Sequence, residues 1–179
     1  MKGNRDHDDQ ALIVSKELAA RGQLQTAILL WFHYADPPSI HTLAEAQGIL
    51  QDVAGKYHKH PHMREWIKNF PAEVRRKLRD PQNYFKHADR DQHKIRAYQP
   101  YIGTLLIADA ALLHQDLYGL TLLIRAFTIR LSFERPDIFQ PHELTAQITQ
   151  GIRLDDLGGL DRPAFFKVIL SRLASVGAN

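Results

Sequence analysis

The chain has 179 residues, no cysteine, 44% hydrophobic and 24% charged residues, and a formal net charge of +3. This composition is that of a single globular domain over residues 1–179, with a polar and flexible segment at 1–10. The lack of cysteine excludes disulfides, thiolate catalysis and cysteine-based metal centres. The polar start shows no secretory signal, and the longest apolar stretch, 120–133, contains two arginines. We therefore expect a cytoplasmic protein without a membrane partner.

The first third of the chain is predicted to be helical. Apolar residues recur at helical spacing over 12–34, although Gly22 could divide this stretch into two helices. Asp36 is then a candidate N-cap with Pro37 at the first helical position, while Gly55 marks the expected end. One continuous helix is predicted between these two signals.

Most of the remaining chain also has helical patterning, interrupted by turns that contain proline or glycine. The segment "FTIRLSF" alternates as a half-buried strand would, but it belongs to a 14-residue apolar run without turn signals, which favours a helix. Loops are expected at 57–62 and 155–161. The other predicted helices occupy 63–70, 71–78, 81–88 and 100–118, with one more after Pro141 and another from Asp161. The sequence thus predicts an all-α fold, an antiparallel bundle of about seven helices.

Positive charge is concentrated in the middle of the chain. The segment 56–96 contains twelve Lys or Arg against five Asp or Glu, a net charge of +7, and five of the ten histidines. Because the whole chain carries only +3, the rest carries −4. Such asymmetry favours an anionic partner, although helices with solvated mixed charges give similar counts.

The stretch "PQNYFKHADRDQHK" (81–94) holds the candidate catalytic residues. On a helix, Asn83 and His87 would project from the same face, where the histidine could act as a general acid or base. Asp89 or Asp91 could orient its ring. The alternative is a helix end in which these groups satisfy the backbone, followed by a solvated turn.

A basic face around this stretch could bind nucleic acid or another anionic ligand. The segment "EVRRKLRD" places four basic residues close to several aromatic rings, as in grooves that bind phosphates and stack bases. The same residues could instead be a solvated helix face with aromatic core anchors. The candidate ligand-binding residues are Arg76, Arg79, Gln82, Lys86, Arg90 and Asp109.

The motif "QNYFKH" in an all-helical chain resembles that of the HEPN superfamily, small helical bundles that include metal-independent RNases acting as dimers. In that family an arginine and a polar residue precede three variable residues and a histidine. Asn83 and His87 match the polar and histidine positions, whereas Gln82 stands where the family has its arginine. Glutamine cannot supply the positive charge that holds phosphate. The resemblance therefore implies an inactive or binding-only relative.

Two further features have both a structural and a functional interpretation. His58, His60 and His62 alternate and could chelate a metal in an extended segment, but a solvated loop explains them better, so no metal site or cofactor is predicted. Asp109 falls within an apolar stripe and should be paired, with His87, Arg125 or Arg130 as expected partners. It is either an internal salt bridge or a carboxylate lining a polar pocket.

Three functional hypotheses follow. The first is a helical binding protein with a basic, histidine-rich face for RNA or another anion. The second is an enzyme, either an RNase or a metal-assisted phosphoesterase that uses His87. The third is a structural or interaction protein that binds a partner chain or a small apolar molecule. A homodimer is expected because the apolar helices over 100–133 could exceed what one copy buries.

Overall fold

The computed structural model describes residues 13–56, 71–73, 97–136 and 154–176. These residues form six helices of eight or more residues and one helix of five, with no strand among them. The predicted all-α class is therefore confirmed. In chain order the helices are α1 (Lys16–Phe32), α2 (Pro37–Ala44), α3 (Gln47–Lys56), α4 (Tyr101–Tyr118), α5 (Leu122–Glu134), α6 (Leu154–Gly158) and α7 (Arg162–Val176).

Helix α1 is a single helix that continues through Gly22. The Ser15 side chain accepts a hydrogen bond from the Leu18 amide and caps its N-terminus. Burial begins at Ala20, so the first turn lies outside the core and Leu18 is 54% exposed, although its spacing placed it on the apolar stripe. Trp31, on the last turn, is buried as the same pattern predicts.

The end of α1 is a Schellman turn with a tyrosine where glycine is usual. The Ala35 amide donates to the Leu30 carbonyl at 3.0 Å, and the Tyr34 amide donates to the Trp31 carbonyl at 3.4 Å. Tyr34 has a φ of 51°, in the left-handed region that L-residues other than Gly, Asn and Asp seldom adopt. This turn directs the chain from α1 into α2.

The prediction of one helix over 37–54 is wrong, because the chain forms α2 and α3 with a break between them. The start is as predicted: Asp36 Oδ2 accepts from the Ser39 amide at 2.9 Å, and Pro37 is the first helical residue. At Glu45 and Ala46 the hydrogen bonds tighten to the i→i+3 pattern, as in the bond from the Gly48 amide to the Glu45 carbonyl. This tightening separates α2 from α3.

The segments of α4 and α5 are helical, as the sequence predicts. Helix α4 ends at Gly119, whose φ of 83° requires glycine's conformational freedom, and the alternating segment "FTIRLSF" is part of α5. The spacing predicts that Ile102, Leu105, Leu106, Leu112 and Leu113 share the inner face of α4, but Leu112 is exposed, Leu113 is buried and the other three are half-buried. Small residues are buried as well, and they allow close approach to α1, α2 and α3: Gly103, Ala108, Ala110 and Ala111.

The predicted loop at 155–161 is partly helical, because α6 includes its first residues. Helix α7 begins as expected after Asp161, whose Oδ1 accepts from the Ala164 amide at 2.8 Å. The spacing predicts an inner face of Phe166, Ile169, Leu170 and Leu173, and three of these are buried while Leu170 is half-buried. The buried residues of that face are Phe165, Phe166, Ile169 and Leu173.

Helix α1 lies between two groups of helices. Helices α2 and α3 both contact α4 on one side, while α6 and α7 both contact α5 on the other, and α1 contacts both groups. Trp31 and Phe32 are its central contacts, with Trp31 edge-on to Phe127 at 4.8 Å and Phe32 stacked on Phe166 at 4.4 Å. Burying each such ring stabilises the fold by about 2–3 kcal/mol, so α1 holds the two groups together.

Several predicted elements lie outside the described residues. They are the flexible segment 1–10, the loop over 57–62, the helix over 63–70, the helix over 71–78 beyond its first three residues, the helix over 81–88 and the helix after Pro141. Among the helices that are described, none is long and apolar enough to cross a membrane.

We expect Gly22→Ala to increase the free energy of unfolding by about 0.5–1 kcal/mol. Gly22 lies inside α1, is exposed, and has open space where a Cβ would stand, so alanine lowers the entropy of the unfolded chain without a clash. Urea unfolding followed by circular dichroism at 222 nm measures the change. Gly119→Ala is the matched opposite, since a positive φ disfavours alanine, and it should destabilise the protein. A destabilised Gly22→Ala variant would contradict the single continuous α1.

Candidate functional site

A cavity of about 350 Å³ lies where five helix ends converge. The C-terminal ends of α1 and α5 and the N-terminal ends of α2, α4 and α7 surround it, so it lies between the two groups of helices that α1 joins. Rings and aliphatic side chains form most of its wall. The rings are Trp31, Tyr34, Pro37, Pro100 and Tyr101, and the aliphatic residues are Ala35, Ile40, Leu105 and Leu131.

Trp31 forms the inner wall of the cavity and is held by a hydrogen bond. Its indole Nε1 donates to Thr104 Oγ1 on α4 at 2.9 Å. A buried indole N–H needs such a partner, because leaving it unsatisfied would cost about 1–3 kcal/mol. This bond fixes the ring of α1 against the first turns of α4 and thereby sets the width of the cavity.

Beside Trp31, the cavity wall includes part of a network of two arginines and one glutamate. The Arg162 guanidinium donates two hydrogen bonds to the Glu134 carboxylate, from Nε to Oε1 at 2.9 Å and from Nη2 to Oε2 at 2.8 Å. Arg130 donates from Nε to Oε1 of the same carboxylate at 2.8 Å and from Nη1 to the Leu160 carbonyl at 2.8 Å. The network therefore ties the end of α5 to the start of α7 and to the turn before it.

Arg162 also stacks on the aromatic wall. Its guanidinium lies 3.6 Å from the centroid of the Trp31 ring and 5.3 Å from that of Tyr34. At these distances a guanidinium is attracted to the ring faces. The ion pair with Glu134 and the stack on Trp31 together hold Arg162 in one position.

Glu134 stays ionised in this setting. Burial alone would raise the pKa of its carboxyl group, but the hydrogen bonds and charges of Arg162 and Arg130 outweigh burial and lower the pKa below its ordinary value. Its oxygens are thus occupied by guanidinium donors, so Glu134 is suited to orient the arginines rather than to transfer protons.

Two tyrosines form the rim of the cavity. Tyr34 is 59% exposed and Tyr101 is 51% exposed, although both line the cavity. The Tyr34 hydroxyl accepts a hydrogen bond from the Arg162 backbone amide at 3.3 Å. Exposed aromatic rings beside an apolar cavity are the kind of surface that recruits ligands.

Most of the candidate catalytic and binding residues that the sequence predicts lie outside the described part of the chain. These are Arg76, Arg79, Gln82, Asn83, Lys86, His87, Asp89 and Arg90, together with His58, His60 and His62. The roles assigned to them, and the HEPN resemblance that rests on them, remain predictions.

Asp109 is the one nominated residue that the structure describes. It lies in α4 with 1% of its surface exposed and does not line the cavity. Arg130, one of its three expected partners, bonds instead to Glu134 and to carbonyls before α7. The apolar stripe therefore predicted the burial of Asp109 correctly, but not the role of Arg130.

A second polar cluster lies under α2. His41 is buried, and its Nε2 stands 3.4 Å from Oε1 of Glu45, one turn further along the helix. The Tyr98 ring meets His41 edge-on at 5.7 Å, and its hydroxyl donates to the Pro37 carbonyl at 3.4 Å. Burial raises the pKa of Tyr98 to about 12, so its phenol remains protonated. The cluster fastens α2 to the chain that enters α4.

A third cluster closes the other end of α4. His114 Nδ1 lies 3.1 Å from the Gly119 carbonyl, so this nitrogen carries the proton and donates. Burial, with a contribution from the nearby Arg21 charge, lowers the pKa of His114, and the imidazole is neutral near pH 7. Arg21 lies over the Tyr118 ring at 4.6 Å. These contacts stabilise the turn between α4 and α5.

Within the described ranges, no group of three or more His, Asp or Glu side chains is arranged to hold a metal ion. Comparison with known proteins gives no further lead, since no protein family, curated protein or solved structure matches this chain significantly. Interpretation of the cavity therefore rests on its own geometry.

The sequence did not indicate the cavity residues as a site. The helical spacing over 12–34 placed Trp31 on an apolar stripe, and Arg162 appeared only as the residue between Asp161 and Pro163 at the start of a predicted helix. One usable signal was the indole itself, because a buried tryptophan requires a partner for its N–H. Its partner, Thr104, is 73 positions away, and that pairing depends on how α1 and α4 pack.

We expect Glu134→Gln to lower the free energy of unfolding at pH 7 by about 1–3 kcal/mol, because the glutamine amide presents N–H groups to two guanidiniums. The folded-state pKa of Glu134 is lowered, so its contribution is complete above the unfolded-state pKa of about 4.3 and is lost as the pH falls further. The difference between wild type and variant should therefore shrink below that pH. Urea unfolding at pH 7 and pH 3.5 tests this, with Asp52→Asn at an exposed position as the control.

Proposed function

We propose that this chain is a binding protein that takes a small, largely apolar molecule into the cavity between α1, α2, α4, α5 and α7. The observation that carries the proposal is the cavity itself, with its wall of rings and its few fixed polar groups. Sites for small molecules usually have 300–1,000 Å³ of space, mostly apolar walls and a small number of oriented polar groups. A volume of about 350 Å³ suits a ligand of one or two rings.

The backbone of Tyr34 supports the proposal. A left-handed φ costs an ordinary residue about 1–2 kcal/mol, and glycine would remove this cost. The chain nevertheless has a large aromatic residue there, with its ring at the cavity rim and mostly exposed. Unfavourable backbone conformations of this kind are concentrated at sites where a side chain is used.

The rigid polar frame supports it as well. Trp31 is fixed by Thr104, and Arg162 by Glu134 and by the Trp31 ring, so the wall is held in place before any ligand arrives. A preformed site avoids the cost of ordering side chains on binding. The cavity is therefore suited to selective binding of a small molecule.

We expect apolar ring compounds to alter the fluorescence of Trp31, with saturation in a titration. The measurement is made in a Trp66→Phe background, because these two are the tryptophans of the chain. Ala35→Phe should abolish the change, since Ala35 lines the cavity and the added ring would fill it. Gln23→Phe adds the same ring at an exposed position on α1 and should leave binding intact.

Tyr34→Gly gives a second test of the same site. Glycine is favoured by this backbone, so the variant should fold, while the loss of the rim ring should weaken binding by about tenfold. Circular dichroism checks the fold of each variant. Titrations in which Tyr34→Gly and Ala35→Phe both bind as wild type does would place the ligand elsewhere and contradict the proposal.

The basic segment supports a second candidate function, the binding of RNA or another polyanion. The observation that favours it is the net charge of +7 over residues 56–96. Lys and Arg at such density attract phosphates regardless of sequence. An RNase that uses His87 is the catalytic form of this candidate.

We expect a fluorescein-labelled single-stranded RNA to bind with an affinity that falls steeply with salt, by about 0.7 in log units per phosphate contact for each tenfold rise in salt. Replacing Arg76 and Arg79 with Gln together should weaken binding and flatten this slope. The matched control replaces the exposed Lys16 and Lys167, with the same change of charge. Fluorescence anisotropy measures binding, and gels with and without EDTA test for cleavage that His87→Ala should remove. Equal losses in both double variants would argue against a specific basic face.

A further inference from the structure

We infer that the ligand of the cavity is an aromatic monoanion, such as an aromatic carboxylate, with its ring against the tyrosines of the rim and its charged group toward the arginines. This inference rests on the proposed function and deepens it by naming the class of molecule bound. Two observations support it. The first is the charge of the residues that line the cavity, and the second is that Arg162 has N–H groups that do not bond to Glu134.

The charged residues that line the cavity are Glu134, Arg135 and Arg162. Glu134 bonds to both Arg162 and Arg130, so these three mostly buried side chains together carry a net charge of +1. Arg135 is exposed, so solvent screens its charge more strongly than the charge of these three residues. A cationic ligand would be repelled, and an anionic ligand would be attracted.

Glu134 does not make the cavity a site for cations. Each of its oxygens already accepts from a guanidinium, with Oε1 receiving two hydrogen bonds and Oε2 one. A ligand cation would have to displace an arginine to reach the carboxylate. The anion-binding groups of the wall are therefore the arginines.

Arg162 retains donors for a ligand. A guanidinium has five N–H groups. Three N–H groups of Arg162 have partners. Those on Nε and Nη2 donate to Glu134, and one on Nη1 donates to the Trp31 carbonyl at 3.4 Å. Its two other N–H groups have no hydrogen-bond partner within the described ranges, and the side chain lines the cavity. A carboxylate oxygen is the acceptor that suits a guanidinium best.

Two carboxylates next to lining residues in the sequence do not offset this charge. Asp36 and Asp161 are exposed, and neither lines the cavity. Each accepts a hydrogen bond from an amide in the first turn of its own helix, α2 for Asp36 and α7 for Asp161. Their charge is solvated and directed at helix N-termini, whereas the charges of Arg162 and Arg130 are mostly buried beside the cavity.

The test uses three probes of one shape and different charge: 2-naphthoate, 2-naphthalenemethanol and 2-naphthylmethylamine. Calorimetric titration of the full chain at low salt should give the tightest binding for the anion, about two- to fivefold tighter than the alcohol, and the weakest for the cation. The preference for the anion should shrink in 0.5 M NaCl, because salt screens the arginines. Binding of the alcohol should change little.

Two variants with the same change of charge locate the effect. Arg135→Gln removes a charge from the cavity wall and should reduce the preference for naphthoate over the alcohol. Lys167→Gln removes a charge from an exposed position on α7 and should keep that preference. Ala35→Phe, which fills the cavity, should remove binding of all three probes.

The outcomes distinguish this inference from the proposed function. If the alcohol or the ammonium binds as well as the anion and Ala35→Phe removes that binding, the cavity is a ligand site and the inference about charge is overturned. If none of the probes binds, the proposed function fails and the inference falls with it. A preference for the anion that is lost equally in Arg135→Gln and Lys167→Gln reflects overall charge and also overturns the inference.

Discussion

The contact between Arg162 and Trp31, held by Glu134, is the interaction on which the described structure depends most. Arg162 comes from α7, Trp31 from α1 and Glu134 from α5, so one guanidinium joins three helices that are distant in sequence. The Trp31 ring lies against the flat face of the guanidinium, and the Glu134 carboxylate accepts hydrogen bonds from its edge. Without the ion pair this half-buried arginine would carry an uncompensated charge, so Glu134 stabilises the start of α7 against α1.

The cavity follows from the same constraint. Along their lengths the helices interdigitate, with small residues of α4 allowing close contact to α1 and large rings filling the space between α1 and α7. At their ends the polar network and the hydrogen bond from Trp31 to Thr104 hold the chains at fixed distances. The side chains there cannot collapse inward without breaking these bonds, so the space that remains is lined by rings and edged with charge.

Two separate regions of the chain now have functional proposals, and they differ in kind. The basic segment 56–96 is distinguished by composition, a net charge that suits a polyanion. The cavity is distinguished by shape, a volume and a wall that suit one small molecule. Both proposals involve an anionic ligand. In the cavity the positive charge comes from a few arginines held in fixed positions, whereas in the segment it comes from a high density of Lys and Arg. Both proposals assign the chain a binding role, and catalysis by the histidine motif at 83–87 is the enzymatic form of the second proposal.

The sequence by itself determined the helical class, the Asp36 cap, the start of α7 after Asp161, the end of α4 before Gly119 and the burial of Trp31 and Asp109, because these depend on local backbone chemistry and on periodicity. It missed the break between α2 and α3, where local signals are weak, and it wrongly placed Leu112 on the inner face of α4, where Leu113 and several alanines are buried. Only the tertiary structure decided that Trp31, Thr104, Glu134 and Arg162 share one site. They lie on four helices spread over more than 130 positions, and no local pattern encodes a contact that arises from the packing of helix ends.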